Sequence, residues 1–356
     1  MKTAEISFGR LLPVLAVLVM VTFTGQEARA ITFGEEDCVD NLSNTDCAHP
    51  NVVSLSGFRN PVERDNTTEP VSSGRCSASV LRKHSDKIVF LTAGHCVSFY
   101  IAALESGQLV HLGVSFDAAI EKDVSVERAL WTPAQYVLLD PATDFLVLND
   151  LYGPQGLNAF NLQFDHGVVV LHIPTDGLVT YGGEPVDLTG IEPVTLTLPG
   201  FLETIADVQD PPLFTAVGYG VGEAHNKPGE GGNKGGASND LSKLGMRWQT
   251  VDGTAFVAFM GQKQNLMMGS QNPARDHDGT CGGDSGGPIF YEAAGGDIQV
   301  AVTSSGDAIC RGSAIMARAD SPEAQEFLQC VLDANNSMQL MNCGCTEVNS
   351  QGECSQ

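Results

Sequence analysis

The sequence predicts an all-β protein, a sandwich or a barrel, with one helix near its C-terminus. Three observations indicate this class. The apolar runs are short and rich in β-branched residues, clusters of Gly, Pro, Asn and Asp separate them, and strong helical periodicity occurs at one place. The 356 residues include 39 glycines and 17 prolines, which fits a chain with many turns, folded as one large domain or two moderate ones.

The predicted strands follow one another along the chain with turn signals between them. They are KIVFLTAGHC, GVVVLHI, PVTLTLP, LFTAVGYG, DIQVAVTSS and SAIMARA. The predicted helix is SPEAQEFLQCVLDANN, in which Ser321 can cap the amino end and Pro322 suits the first turn. Residues 225–240 are polar and Gly-rich and predict a flexible loop. After Asn335 the sequence is polar and predicts no regular structure.

The first 30 residues predict a secretory signal peptide, residues 1–30. Lys2 and Arg10 give a charged start, an apolar run follows, and the small residues of ARA end at Ala30, where we expect cleavage. The run is shorter than the roughly 20 residues that a membrane span needs, which disfavours an anchor. The sequence therefore predicts a secreted protein, extracellular or periplasmic, with no other segment that crosses a membrane.

Charge and cysteine content restrict the partners and the compartment. The formal net charge is −24, and such acidity argues against nucleic acid or an anionic membrane as a partner. The chain also has 10 cysteines. In an oxidising compartment most of them should be paired in disulfides.

The segment GTCGGDSGGP places Ser285 among glycines and beside an aspartate. Glycines let backbone amides approach a ligand closely, so Ser285 suits an exposed nucleophile, although composition alone fits a solvent turn better. A nucleophilic serine needs a base, usually histidine. Of the 8 histidines, His95 has a distinctive setting, LTAGHC, at the end of an apolar strand. A packed structural histidine fits this setting too.

The chain order of these residues separates two types of hydrolase. GDSGG matches the G-x-S-x-G pattern of α/β-hydrolases, but in that fold the histidine follows the serine, and no histidine follows Ser285. The order His, Asp, Ser is the one used by chymotrypsin-type proteases.

LTAGHC and CGGDSGGP resemble the two signature motifs of the chymotrypsin/trypsin family of serine endopeptidases. CSASVL, TAVGYG, VTSSGDAIC and the terminal helix resemble further segments of that family. The resemblance covers residues 31–334 and leaves the cysteine-rich tail, residues 335–356, outside it. It implies two antiparallel Greek-key β-barrels with a C-terminal helix and an active site in the cleft between the barrels.

The resemblance implies a role for each matched residue. Ser285 corresponds to the nucleophile, His95 to the general base, and the amides of Gly283 and Ser285 to the oxyanion hole. The orienting carboxylate has two candidates, Asp144 in TDFLVL and Asp165 in FDHGVVVL. Asp144 has the more usual distance from the histidine, whereas Asp165 fits the local pattern of the family better. We choose Asp165, which makes residues 117–160 an extended insertion.

The substrate-binding residues follow from the same resemblance. Gly279 matches the base of the specificity pocket, where trypsin-like members keep an aspartate. Ser304 and Gly306 belong to the substrate-binding strand, and Gly306 and Ala314 match the small pocket walls. The resemblance therefore implies a preference for uncharged side chains rather than strict Lys/Arg specificity, although Asp278, beside the pocket base, could turn inward.

Activation in this family uses a new N-terminus that folds inward. Here ITFG begins at Ile31, directly after the predicted cleavage site. We expect the Ile31 ammonium to pair with Asp284, the residue before the nucleophile, with no propeptide to remove.

The cysteine pairings are predicted on different grounds. The resemblance implies the disulfides Cys76–Cys96, beside the histidine, and Cys281–Cys310, beside the serine. Cys38 and Cys47 bracket eight residues and are expected to close a local loop. The remaining four allow three pairings that the sequence leaves open: Cys330, Cys343, Cys345 and Cys354. The CGC motif could also bind a metal, but an exported protein favours disulfides.

Together these observations predict a monomeric, secreted serine endopeptidase that acts on proteins or peptides without cofactor or metal. One alternative is a catalytically inactive member of the fold that serves as a binding protein. Another is a cysteine-rich adhesion or structural protein, which would not need GDSGG and TAGHC together.

Overall fold

The computed structural model describes residues 35–36, 47–121, 131–152, 162–205, 213–220, 240–242, 244–249, 266–270, 280–306, 310 and 313–347. The strands are β1 (Glu35–Glu36), β2 (Val52–Arg59), β3 (Val71–Lys83), β4 (Lys87–Thr92), β5 (His111–Ser115), β6 (Ala119–Glu121), β7 (Val137–Leu138), β8 (Phe145–Leu148), β9 (Gly167–His172), β10 (Thr195–Leu196), β11 (Leu213–Gly218), β12 (Asp240–Ser242), β13 (Leu244–Gln249), β14 (Leu266–Ser270), β15 (Pro288–Ala293), β16 (Gly296–Gly306) and β17 (Ser313–Arg318). The helices are α1 (Gly94–Glu105), α2 (Phe201–Ile205), α3 (Pro322–Asp333) and α4 (Ser337–Met341).

The strands form two large, mainly antiparallel sheets, so the predicted all-β class is confirmed. The first sheet has the order β7-β5-β2-β3-β4-β9-β8 and the second β1-β13-β11-β15-β16-β17-β14. The short strand β10 adds to β16 in parallel, and β6 pairs with β12 outside the two sheets. Within the described residues, none of the helices is long and apolar enough to cross a membrane.

The first sheet is built around two strands that the sequence predicted, β4 and β9. All six residues of β4 are buried, because one face packs on α1 and the other on the second sheet. That burial explains why KIVFLT reads as a nearly continuous apolar run instead of an alternating one. Strand β8 pairs with β9 in the same sheet, so part of the stretch 117–160 belongs to the sheet and is not an insertion outside it.

The main core lies between the two sheets and continues under α3. Val89 of β4, Val217 of β11 and Phe327 of α3 belong to one buried cluster. A second cluster fills the space between the outer face of the first sheet and α1, where Tyr100 is fully buried. Apolar side chains from distant parts of the chain therefore hold the two sheets face to face.

Helix α3 begins as the sequence predicted, and α1 was not predicted. The Ser321 side chain accepts a hydrogen bond from the Ala324 amide at 3.3 Å, and Pro322 occupies the first turn. Helix α1 has the sequence GHCVSFYIAALE, which is apolar on most sides because it is packed against β8 and β9. Its sequence therefore carries no amphipathic stripe for a periodicity analysis to detect.

Residues 335–347 of the C-terminal tail contain regular structure, although the sequence predicted none. Helix α4 is capped by Asn336, whose side chain accepts from the Gln339 amide at 2.9 Å. A Cys330–Cys343 disulfide joins the tail to α3, which selects a partner for Cys330 among the pairings left open. The backbones of Cys345 and Leu148 exchange two hydrogen bonds, of 2.7 and 2.8 Å, and so attach the tail to the first sheet.

The carboxyl end of α3 is held to the first sheet by Arg82 of β3. Its guanidinium donates to the carbonyls of Leu332 and Ala334, the latter at 2.6 Å, and more weakly to that of Val331 at 3.4 Å. The last carbonyls of a helix lack partners inside the helix, and the helix dipole makes that end negative. One cation therefore satisfies several acceptors and fixes where the helix ends.

We expect Arg82→Met to lower the free energy of unfolding by about 1–3 kcal/mol, because the side-chain stem remains while several buried carbonyls lose their donor. Urea denaturation followed by circular dichroism measures this loss. Arg82→Lys is the control, since it keeps one cationic donor and should lose less. Equal stability of wild type and Arg82→Met would contradict the capping role.

Candidate active site

The topology of the first sheet brings His95 and Asp165 to the same edge. Strands β4 and β9 are antiparallel neighbours, and Thr92 at the end of β4 lies opposite Gly167 at the start of β9. His95 follows β4 by three residues, in the first turn of α1, and Asp165 precedes β9 by two. The end of one strand and the beginning of the next therefore place an imidazole and a carboxylate side by side.

Asp165 is fully buried and receives three hydrogen bonds. His95 Nδ1 lies 2.8 Å from Oδ2, and the His95 amide donates to Oδ1 at 2.7 Å. The third donor is the hydroxyl of Ser304 in β16 of the second sheet. This set of donors fixes the plane of the His95 ring and leaves Nε2 on the side away from the carboxylate.

The charges of this pair shift both pKa values in opposite directions. Burial alone would lower the pKa of His95, but the Asp165 carboxylate and its hydrogen bond outweigh burial, so the pKa is raised above its usual value. Burial alone would raise the pKa of Asp165, but the attraction of His95 and the three donated hydrogen bonds lower it. The carboxylate is therefore ionised at neutral pH and favours the protonated imidazole.

Asp144, the other candidate carboxylate, lies elsewhere. It directly precedes β8, whose first residue pairs with Val170, toward the end of β9 that is remote from Asp165. Its oxygens accept from the amides of His172 and Asp140, at 2.7 and 2.8 Å. Asp144 therefore stabilises a turn, and the structure brings Asp165 to His95 instead.

Ser285 lies in the loop that leads into β15, and backbone hydrogen bonds fix the conformation of this loop. The amides of Asp284, Gly286 and Gly287 donate to backbone carbonyls at 2.7–3.1 Å. Within the described residues, the amides of Gly283 and Ser285 donate to no acceptor. Gly283 has φ +104° and Gly286 φ +81°, values that residues with a Cβ rarely adopt. The glycines thus permit a loop in which, among the described residues, the amides of Gly283 and of Ser285 itself are left without an acceptor.

The histidine and the serine loop meet at the Cys76–Cys96 disulfide. Cys96 Sγ lies 3.6 Å from His95 Nε2 and 3.8 Å from the carbonyl oxygen of Ser285. In the described part of the chain, Ser285 Oγ forms no hydrogen bond with His95. Hydrogen bonds between catalytic groups are often long in the absence of substrate and tighten in the complex. The His95 imidazole and the Ser285 backbone are therefore both in contact with the same sulfur atom.

One disulfide lies beside the histidine and another lies in the serine loop. Cys76–Cys96 links β3 to the first turn of α1, and Cys281–Cys310 fastens the serine loop to the segment after β16. Cys47 is also disulfide-bonded, and its expected partner Cys38 lies outside the described residues, as does Cys354. His95 and the two sulfurs of the first bridge could be mistaken for a metal site. Sulfurs joined in a disulfide are not thiolates, the form that binds metals.

Asp284 is buried and directly precedes Ser285 in the chain. Its carboxylate accepts from the amides of Gly220, at 2.7 Å, and Cys281, at 2.9 Å. Burial raises its pKa to about 7, against the lowering effect of these two amides and of the Arg75 charge. Asp284 forms no ion pair with any described residue, and Ile31, its expected partner, lies outside the described residues together with the predicted signal peptide, residues 1–30.

The predicted substrate-binding residues fall in different places. Gly306 ends β16, is exposed, and lies opposite Ala314 of β17. The Ser304 side chain faces Asp165, so its hydroxyl belongs to the histidine–aspartate pair. Gly279 lies outside the described residues, as does most of the predicted loop at residues 225–240.

Comparison with known proteins adds no relative: neither a protein-family model nor a curated protein matches the chain.

The pKa shifts predict how the histidines titrate, which NMR spectroscopy over a range of pH can measure. The His95 imidazole should titrate above its ordinary pKa of 6.5, and Asp165→Asn should lower that value, because burial then acts without the compensating negative charge. His166, whose pKa burial lowers to about 4, should stay neutral in both proteins. Asp144→Asn is the matched control and should leave His95 unchanged. A larger shift from Asp144→Asn than from Asp165→Asn would contradict the pairing.

Proposed function

We propose that the protein is a secreted serine endopeptidase of the chymotrypsin/trypsin type, with its two sheets forming the two Greek-key barrels of that fold. The observation that carries the proposal is the buried Asp165–His95 pair beside a loop in which the amides of Gly283 and Ser285 face no internal acceptor. A base, an orienting carboxylate, a serine and two unused donors are the parts needed for acyl transfer.

The proposed reaction has two halves. Ser285 Oγ attacks the scissile carbonyl carbon while His95 Nε2 takes the hydroxyl proton, and the carbonyl oxygen becomes an oxyanion bound by the two amides. The intermediate then collapses, His95 returns the proton to the leaving amine, and an acyl-enzyme remains. In the second half water attacks the ester carbonyl and gives a proton to His95. His95 then returns that proton to Ser285 Oγ as the intermediate collapses, which releases the acid and restores the serine.

Asp165 acts on this reaction through His95. When His95 takes the proton it becomes a cation, and the adjacent buried carboxylate stabilises that cation, as the raised pKa of His95 indicates. The hydrogen bond to Nδ1 also keeps the proton on that nitrogen, so Nε2 is free to accept. Asp165 is thus the positioning group, and its burial keeps water from screening the pair.

The proposed substrate class comes from the resemblance of the two motifs to serine endopeptidases. We propose unfolded proteins and peptides as substrates, with uncharged side chains preferred at the cleaved residue because Gly306 and Ala314 are small. The disulfides support an oxidising, extracellular compartment. The proposed mechanism requires no metal or other cofactor and acts within a monomer.

One observation favours a second candidate, a protease-like fold that binds without cleaving. In the described residues Ser285 and His95 do not share a hydrogen bond, which would also be true of an inactive relative. The two functions differ in whether Ser285 reacts with an electrophile, since an unactivated serine does not.

We expect a fluorophosphonate probe to label the folded protein at Ser285 and to fail after heat denaturation, because labelling requires the assembled site. Ser285→Ala and His95→Ala should each remove labelling and most peptide hydrolysis while circular dichroism remains unchanged. Mass spectrometry locates the label. If Ser285→Ala still hydrolyses peptides and a chelator abolishes that activity, the mechanism is metal-dependent instead. If the folded protein takes no label, the binding function is favoured.

Activation is expected to depend on a free amino group at Ile31. Pairing with the Asp284 carboxylate would raise the ammonium pKa above its unfolded value of roughly 7.7–8.0. While Asp284 is ionised, the stabilisation is complete below that range and is lost as pH rises through the folded pKa of the ammonium, so activity should fall reversibly in alkali. N-terminal sequencing and an assay of a form extended by one residue before Ile31 measure this. Full activity of the extended form, or a mature end elsewhere, would contradict the pairing.

A further inference from the structure

Ser77 of β3 connects the first sheet to the serine loop through its amide and its hydroxyl. The residue is fully buried. Its amide donates to the carbonyl of Ser285 at 2.8 Å, and its hydroxyl donates to the carbonyl of Gly283 at 3.0 Å. Its own carbonyl accepts from the hydroxyl of Thr92, at 2.7 Å, three residues before His95.

The two carbonyls that Ser77 holds belong to the two residues whose amides are the proposed oxyanion donors. Because these carbonyls point at Ser77, the chain on either side of Asp284 is fixed in orientation. The amide of Asp284, in the same peptide unit as the Gly283 carbonyl, donates to Cys281 at 3.1 Å. Rotation of that peptide would therefore break hydrogen bonds at both of its ends.

The direction of the Ser77 hydroxyl proton is also determined. The Tyr219 amide donates to Ser77 Oγ at 2.8 Å, which occupies a lone pair and directs the proton to Gly283. A glycine has no side chain to restrict its rotation, so Gly283 at φ +104° depends on external contacts to stay in place. The Ser77 hydroxyl is such a contact.

We infer that Ser77 is a positioning residue for the oxyanion hole: it fixes the carbonyls of Gly283 and Ser285 and thereby aims their amides at the substrate. This inference rests on the proposed function. It assigns to the hydroxyl a role in the transition state, since donors held in advance stabilise the developing oxyanion more than the uncharged carbonyl of bound substrate.

The test compares Ser77→Ala with Ser79→Ala. Ser79 lies on the same strand, is equally buried, and donates to Gln299 Oε1 of the second sheet at 2.8 Å, away from the serine loop. Both variants remove one buried hydroxyl that bridges the sheets. We expect Ser77→Ala to lower kcat for a peptide ester about tenfold at unchanged KM, a fraction of the roughly 10²–10³-fold cost of losing an oxyanion donor outright. Ser79→Ala should leave both constants unchanged.

A transition-state analogue provides the second measurement. A peptidyl trifluoromethyl ketone forms a hemiketal oxyanion with the serine, so its binding should weaken by the same factor as kcat in Ser77→Ala and not in Ser79→Ala. Ser77→Gly removes the same hydroxyl without adding an atom and replaces Ser77→Ala if that variant does not fold. If Ser77→Ala and Ser79→Ala have equal kcat, or the loss appears in KM alone, the inference is wrong. If Ser285→Ala remains active, the proposed function fails first, and the inference with it.

Discussion

The site depends on one buried charge, the carboxylate of Asp165. An ionised carboxylate without water is costly unless donors surround it. Here the donors come from both sheets: the amide and ring of His95 follow β4 of the first sheet, and the hydroxyl of Ser304 belongs to β16 of the second. Satisfying this one group therefore fixes the histidine and holds the two sheets at a set distance beside it.

The serine loop is organised by a different principle, in which backbone groups replace charges. The carbonyls of Gly283 and Ser285 accept from Ser77 of β3, the Gly286 amide donates to β16, and the remaining bonded amides donate within the loop, while the buried Asp284 carboxylate accepts from two amides. Hydrogen bonds weaken steeply with distance and angle, so a loop that presents amides has to be held by fixed partners.

The strands that carry the site could be predicted, because KIVFLT and GVVVLH are short apolar runs with turn signals at their ends. The sequence could not decide firmly between Asp144 and Asp165, since the choice depends on which end of β9 faces His95, a matter of strand register. Helix α1 was missed because burial on most sides removed its polar stripe. The structure of the tail was missed because a disulfide, the Cys345–Leu148 pairing and the buried side chain of Leu340 hold it, rather than a periodic apolar face.

The placement of the disulfides makes the geometry of the site sensitive to redox conditions. Cys76–Cys96 fixes the turn that carries His95, and Cys281–Cys310 fixes the loop that carries Ser285. Each half of the site is therefore constrained only after its own pair of thiols has been oxidised to a disulfide. A newly made chain among reducing thiols has neither constraint. The geometry of both halves of the site is therefore complete only where the surroundings keep these four cysteines oxidised.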